Sequence, residues 1–345
     1  MTTATAYVPS IAHTKSGHPE NHARLNQLLS FLEQAKVLPY LHMLQPMAAT
    51  LEQLRRVHAP TLIERIREVS SIGGGSLDHG DTYATAQSYE LARLAAGAAI
   101  AVVDQILTGQ ARNGFALVRP PGHHAEYGRI SGFCLFNNVA AAARQAQVVH
   151  GVKRILIVDF DVHHGNGTQD IFYEDDSVLF ISAHLFLPRM FYPGTGDFQE
   201  FGNGFGHGYT VNVPLLPNVG DEGYGRILTE LVRPIAKQFK PELIMVSAGY
   251  DAHWKDPLAM AGLSLTGYAH MSRALVTLAD ELTNGRIFFV LEGGYQVQAL
   301  SYGILNTFYA LTGQDKIDDP LGAMPHSEQD ISQLLRQLKQ HHLIY

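Results

Sequence analysis

The chain is predicted to adopt an α/β fold with a central, mainly parallel β-sheet, and three observations in its 345 residues carry that expectation. Six short runs, at 114–118, 154–160, 178–182, 209–213, 243–247 and 286–291, are apolar at nearly every position, as strands covered on both faces require. Helical patterns alternate with them at 86–107, 137–149, 221–239 and 266–282. Finally, the segments RPPGHHAEYG, DVHHGNG, GYDAHWKD and EGGYQ each follow one of the strand candidates. Ligands of open parallel sheets gather beyond the carboxyl ends of strands, so these His- and Gly-rich stretches converge on one edge.

The first helical pattern is rich in Ala and Leu, and Gly97 in its interior predicts close packing on the sheet. No Pro/Gly/Ser-rich linker, internal repeat or low-complexity tract interrupts the pattern, which predicts one domain over residues 1–345. An amphipathic helix around 327–340 is expected to dock on its body.

Hydrophobic residues make up 46% of the chain and charged residues 17%, a globular balance that excludes intrinsic disorder. With 25 basic against 32 acidic side chains, the formal charge of −7 argues against a general nucleic-acid binder. An acidic surface instead accommodates cationic substrates such as lysine-rich segments or polyamines. Cys134 is the sole cysteine, so no intramolecular disulfide can form. The N-terminus lacks a charged stretch followed by an apolar run, and no apolar segment approaches the ~20 residues of a membrane span. A soluble cytoplasmic protein is expected, with its oligomeric state left open.

Asp159-Phe160-Asp161-Val162-His163 continues an apolar strand, and period-2 alternation places Asp159, Asp161 and His163 on one face. Buried carboxylates are costly unless paired or metal-bound. A salt-bridged or helix-capping cluster is the competing reading. Asp and His two positions apart suit a divalent ion such as zinc, and Asp251 at a neighbouring strand end is placed to complete three ligands. Three protein ligands leave a position open for water or substrate, the mark of a catalytic site. Arg119-Pro120-Pro121-Gly122 sets a turn that delivers His123 and His124 as distinct groups, one able to act as base and then acid. Gly293 and Gly294 let a loop carry the Tyr295 phenol inward as an oxyanion donor. Phe133 and Tyr192 stand in other Gly-rich loops, either flanking an apolar tunnel or plugging the core.

Together RPPGHHA (119–125), GFCLFNN (132–138), DFDVHHGNGTQ (159–169), YPGTGD (192–197), SAGYDAH (247–253) and LEGGY (291–295) resemble the histone deacetylase family. The match runs in order from about His18 to about Phe308, and its form is similar to class II and bacterial members, where Asn166 replaces the usual class I Asp. The resemblance implies an arginase/deacetylase fold and zinc held by Asp161, His163 and Asp251. It implies His124 as general base and acid, His123 as its companion held by Asp159, Asn166 as the partner of His124, and Tyr295 as oxyanion donor. It further implies Gly132, Phe133 and Tyr192 along the substrate tunnel, Leu258 at its gate and Asp81 as the rim carboxylate. Potassium sites are implied at Asp159, Asp161, His163, Ser182 and Ala183, and at Phe172, Asp175, Val178 and Tyr209.

The implied reaction is zinc-dependent hydrolysis of Nε-acyl-lysine in a peptide or protein. The alternative within the family is deacetylation of polyamines or another small acylated amine. Acidic gatekeepers bind a polyamine ammonium, and Leu258 offers no charge there. An arginase-like ureohydrolase would need two manganese ions and more Asp-rich ligand motifs, and a binder without catalysis would not need the full set of polar site residues.

Overall fold

In the computed structural model, which describes residues 2–78 and 80–342, ten strands occur. They are β1 (Thr3–Val8), β2 (Leu41–Leu44), β3 (Gly74–Ser76), β4 (Tyr83–Thr85), β5 (Asn113–Val118), β6 (Ile155–Asp159), β7 (Val178–Leu185), β8 (Thr210–Leu215), β9 (Leu243–Ala248) and β10 (Ile287–Leu291). Eight form a wholly parallel sheet in the order β2-β1-β5-β10-β9-β6-β7-β8, and β3 and β4 pair as a separate antiparallel hairpin. The six predicted strands are the contiguous run from β5 to β8, so the segments singled out in sequence emerge side by side.

Alternation along each strand explains why these runs are apolar throughout. Phe115 and Leu117 enter one core and Ala116 and Val118 the other, and Leu156 and Val158 likewise oppose Ile155 and Ile157. Helix Ser88–Leu107 and helix Asn138–His150 cover one face, while helices Leu265–Leu282 and Val297–Leu311 cover the other. Burying each large aliphatic or aromatic side chain contributes roughly 1.5–3 kcal/mol. Caps fix where helices begin and end. Asn137 accepts from Ala140 N, Gly151 closes the same helix at φ 71°, and Ser264 accepts from Gly267 N.

Three expectations need correction. Strand β6 stops at Asp159, and residues 160–163 form a loop, so Asp161 and His163 do not share a strand face. Backbone N–H groups turning onto carboxylates do that work instead: Asp161 N donates to Asp159 Oδ1 at 3.0 Å and His163 N to Asp161 Oδ1 at 2.9 Å. Gly97 does pack closely, but against the Met47–Ala49 backbone, where a Cβ would stand 1.9 Å from Met47 O. The close approach of that helix to the sheet falls at Gly114, whose Cβ would meet Val102 Cγ1 at 2.3 Å. Finally, the run 221–239 contains a π-helical turn over Leu228–Val232 between α-helices Asp221–Ile227 and Arg233–Phe239. The C-terminal helix spans Ser332–His341 and buries Leu335 and Leu338. Among the described residues, no helix is long and apolar enough to cross a membrane.

Candidate active site and metal centre

At the carboxyl edge of the sheet lies a cavity of about 280 Å³, lined by residues from the loops after β5, β6, β7, β9 and β10. His123, His124 and His163 lie deep in it beside Gly293 and Tyr295, while Phe133, Phe191, Tyr192, Leu258 and Met190 supply apolar wall and Asp81 stands at the exposed mouth. Phe133 and Tyr192, the two aromatics expected along a tunnel, both line this cavity. Gly132 is required there, since at φ 58° its Cβ would lie 2.3 Å from His124 Cδ2, and Phe133 follows in the same left-handed region at φ 66°. Tyr192 stands edge-on to His124 with ring centroids 5.0 Å apart.

Asp161, His163 and Asp251 each point one ligand atom into a space in which all lie within 4.8 Å of one another. His163 Nδ1 is 3.1 Å from Asp161 Oδ1 and 3.3 Å from Asp251 Oδ2. Backbone amides hold both carboxylates: Gly293 N donates to Asp161 Oδ2 at 2.8 Å and Val162 N to Asp251 Oδ1 at 2.9 Å. Asp251 Oδ2, fully buried, has no hydrogen-bond partner. An orphaned buried carboxylate oxygen facing a second carboxylate and an imidazole lone pair is a donor set made for a divalent cation. Burial depresses His163, but with no ion beside it the Asp161 and Asp251 carboxylates outweigh burial and raise it to about 10, a demand for positive charge at Nδ1 that a bound cation would meet in place of the proton. Gly249 and Gly293 let the chain pass, because a Cβ at either would lie 2.1 Å from a ligand carboxylate oxygen.

His123, Cys134 and Glu292 form a second cluster of ligand types. It fits a metal poorly. Glu292 already accepts from Gly122 N, His123 N and Ser247 Oγ, and burial pushes the Cys134 thiol well above its usual range.

The two histidines have different partners. His123 Nδ1 donates to Asp159 Oδ2 at 2.9 Å; burial lowers its pKa, yet the Asp159 and Asp161 carboxylates raise it to about 10. His124 Nδ1 donates to Asn166 Oδ1 at 2.7 Å, and burial together with neighbouring His123 and His163 holds it well below 6.5. Its carboxylate partner thus biases His123 toward the charged form, while an amide partner and burial bias His124 toward the neutral one. Burial keeps the Tyr295 phenol well above 10 and so able to donate.

Sequence reasoning missed the residues that hold this set in place. Asn166 Nδ2 donates to Glu126 Oε1 at 2.7 Å, which fixes the amide with its oxygen toward His124. Arg24, fully buried, donates to Gly294 O at 2.8 Å and Glu292 O at 2.6 Å, with its guanidinium 4.9 Å over the Tyr295 ring. Glu20 bridges Arg24 and Arg119. Asp256 accepts from Tyr295 N at 2.7 Å. Carboxylates beside the His- and Gly-rich motifs, and the HPENHAR segment upstream, were the available signals.

Of the residues expected around potassium, Asp159 and Ser182 face each other in the β6–β7 register, and Ser182 Oγ shares a hydrogen bond with His184 Nδ1. Phe172, Asp175, Val178 and Tyr209 gather around the start of β7, where the Asp175 carboxylate is already engaged by Ser177 and Arg144. Only backbone carbonyls would remain for an ion there.

Comparison with known proteins agrees with this geometry. The chain is 40% identical over 327 residues to the chloroplastic histone deacetylase 14 of Arabidopsis thaliana, covering 89% of this chain and 76% of that protein. It is 42% identical over 313 residues to a probable deacetylase of Archaeoglobus fulgidus, covering 89% and 86%. With the histone deacetylase-like amidohydrolase of Pseudomonas aeruginosa it shares 39% over 307 residues, covering 89% and 80%. The crystal structure of the HDA15 HD domain superposes with a TM-score of 0.91 at 37% identity, covering 99% of this chain and 96% of that one. The histone deacetylase domain family matches residues 18–311, and that span encloses every polar group of the cavity floor: the chain belongs to the zinc-dependent histone deacetylase family.

Proposed function

We propose that the chain hydrolyses the amide of Nε-acyl-lysine in peptides or proteins, with zinc held by Asp161, His163 and Asp251. The observation that carries this reading is the unpartnered Asp251 Oδ2, converging with Asp161 and His163 Nδ1 at the floor of a narrow apolar-walled cavity. Zinc bound there supplies Lewis acidity toward an acyl carbonyl and a water.

The remaining chemistry belongs to the chain. His124, anchored through Nδ1, accepts the proton of the attacking water at Nε2 and returns it to the departing lysine amine. His123, kept cationic by Asp159, adds positive charge beside the forming oxyanion. Tyr295 donates its phenolic hydrogen to that oxyanion. Phe133 and Tyr192 sheath the aliphatic lysine stem and exclude water, while exposed Asp81 receives the substrate backbone at the mouth. Monovalent ions at the two carbonyl-rich positions around β7 are part of the same proposal.

Leu258 at the mouth is apolar and 36% exposed, which favours acyl-lysine over a polyamine carrying a second ammonium. Kinetics on an acetyl-lysine peptide and on N-acetylputrescine, with zinc analysis of the same sample, test the reading. Preference for the peptide at one zinc per chain is expected. Preference for N-acetylputrescine would overturn the substrate choice.

A further inference from the structure

Asp256 lies outside the cavity floor and its carboxylate makes no hydrogen bond to Asp161, His163 or Asp251, yet it is 5% exposed and both its oxygens are committed to the loops that form the cavity. Its Oδ2 accepts from Tyr295 N at 2.7 Å and from Gln296 N at 3.1 Å. Its Oδ1 accepts from Leu258 N at 3.0 Å, a turn across Pro257 that aims Leu258 into the mouth. Its own N–H donates to His253 O at 2.8 Å, two residues past Asp251. One buried carboxylate therefore ties the loop after β9 to the loop after β10.

As far as Gly293 the β10 loop is also held from the floor, where Gly293 N donates to Asp161 Oδ2 and Gly293 O accepts from Tyr250 N. Gly293 and Gly294 precede Tyr295, with Gly294 at φ 116°, and such a pair gives the backbone wide freedom. Arg24 binds the loop's carbonyls at Glu292 and Gly294 from one side, and Asp256 binds its N–H groups at Tyr295 and Gln296 from the other. Gln296 then caps helix Val297–Leu311 through Ala299 N. The phenol's position thus follows from where Asp256 holds its backbone.

We propose that Asp256 is a positioning residue that sets the Tyr295 oxyanion donor and the Leu258 gate from a single carboxylate, coupling turnover to substrate selectivity. The inference rests on the reading of Tyr295 as oxyanion donor. A carboxamide in place of this carboxylate cannot serve both loops, since it has one acceptor oxygen and its NH2 faces an N–H wherever it turns. That makes Asp256→Asn the informative change.

The experiment is a double-mutant cycle of Asp256→Asn and Tyr295→Phe on an acetyl-lysine peptide, with zinc content and melting temperature followed in each variant. Asp256→Asn alone is expected to lower kcat by roughly 10–100-fold at unchanged zinc content. In the Tyr295→Phe background the same change should lower kcat by no more than about twofold, because the group it positions is gone. Equal losses in both backgrounds, or kcat for Asp256→Asn within twofold of the parent, overturn the inference. Full activity in Tyr295→Phe overturns the reading of Tyr295 instead, so the two failures are distinct. If Asp256→Asn does not fold, Asp256→Glu makes the same comparison, keeping charge and both oxygens but displacing them by one methylene.

Discussion

The imidazole of His124 donates from Nδ1 to the amide oxygen of Asn166 at 2.7 Å, and Glu126 holds that amide from its other end at 2.7 Å. An amide fixes the tautomer without adding charge, so Nε2 stays a free lone pair and burial keeps the ring neutral. Placing a carboxylate here, with Asn166→Asp, should stabilise the imidazolium and move the acidic limb of the kcat/KM profile upward by ~1 pH unit. Its check is the pH–rate profile of both proteins from pH 5 to 9. Superimposable profiles would mean that Asn166 does not govern the protonation of His124.

Tyr295→Phe removes one hydroxyl and leaves the backbone contacts to Asp256 in place. Loss of a single oxyanion donor costs on the order of 10²–10³ in kcat, and that is the expected fall. Steady-state kinetics on protein with full zinc content measures it. A fall below threefold would remove the phenol from the reaction.

Gly293 tests the metal centre independently of turnover. A methyl at this position would stand 2.1 Å from Asp251 Oδ2 and 2.6 Å from Asp161 Oδ2. Gly293→Ala should therefore weaken zinc binding by ~10–100-fold while leaving the sheet intact, as read by competition with a chromophoric chelator. Unchanged affinity would place the ion elsewhere.

How much of this was legible depends on how each residue reaches the site. The six strands from β5 to β8 could be read because both faces are buried and apolar runs result. Strand β1, Thr3–Val8, hides among small residues, and its neighbour β2 is only four residues long and partly exposed. With β1 went the significance of the segment it delivers to the site, including Glu20 and Arg24. The three proposed metal ligands could be singled out by residue type and motif, although the strand-face argument for them was mistaken. Their geometry comes from side chains accepting backbone N–H groups, a contact that leaves no periodic trace. Asp256 and Glu292 escaped notice for the same reason, as their partners lie about 40 and 170 residues away in sequence.

Acid stability has a definite sign. His58 is fully buried, donates from Nδ1 to Glu126 O at 2.9 Å and accepts from Asn137 N at Nε2 at 2.8 Å, so only the neutral ring satisfies both contacts. Burial lowers its pKa to about 4. The unfolded chain takes up this proton near 6.5 and the folded chain does not, so stability falls as pH drops from about 6.5 to 4. Glu20 adds a second window. Burial raises it, but paired Arg119 and Arg24 hold it at about 2, so its contribution is present above about 4.5 and is lost as pH falls toward 2. Melting temperature measured from pH 8 to 4 should decline below 6.5, and His58→Gln should shallow that slope by about one proton. An identical slope in the variant would assign the decline to other groups.

Leu258 offers the sharpest test of substrate class, because its backbone is fixed by Asp256 and its side chain forms part of the cavity mouth. A carboxylate at this position would face the distal ammonium of an acetylpolyamine but find no partner on a neutral acetyl-lysine peptide. A hydrogen bond to a charged group contributes about 1.5–3 kcal/mol, so Leu258→Glu should raise kcat/KM for N-acetylputrescine relative to the peptide by roughly 10–100-fold. The change should appear mainly in KM for the amine, since binding of its far end precedes any bond breaking. The same variant should keep its zinc and its kcat on the peptide within a few-fold, because Leu258 has no place among the groups that move protons. A ratio that stays constant would mean that the substrate passes Leu258 without contact, and that selectivity is set by another part of the rim.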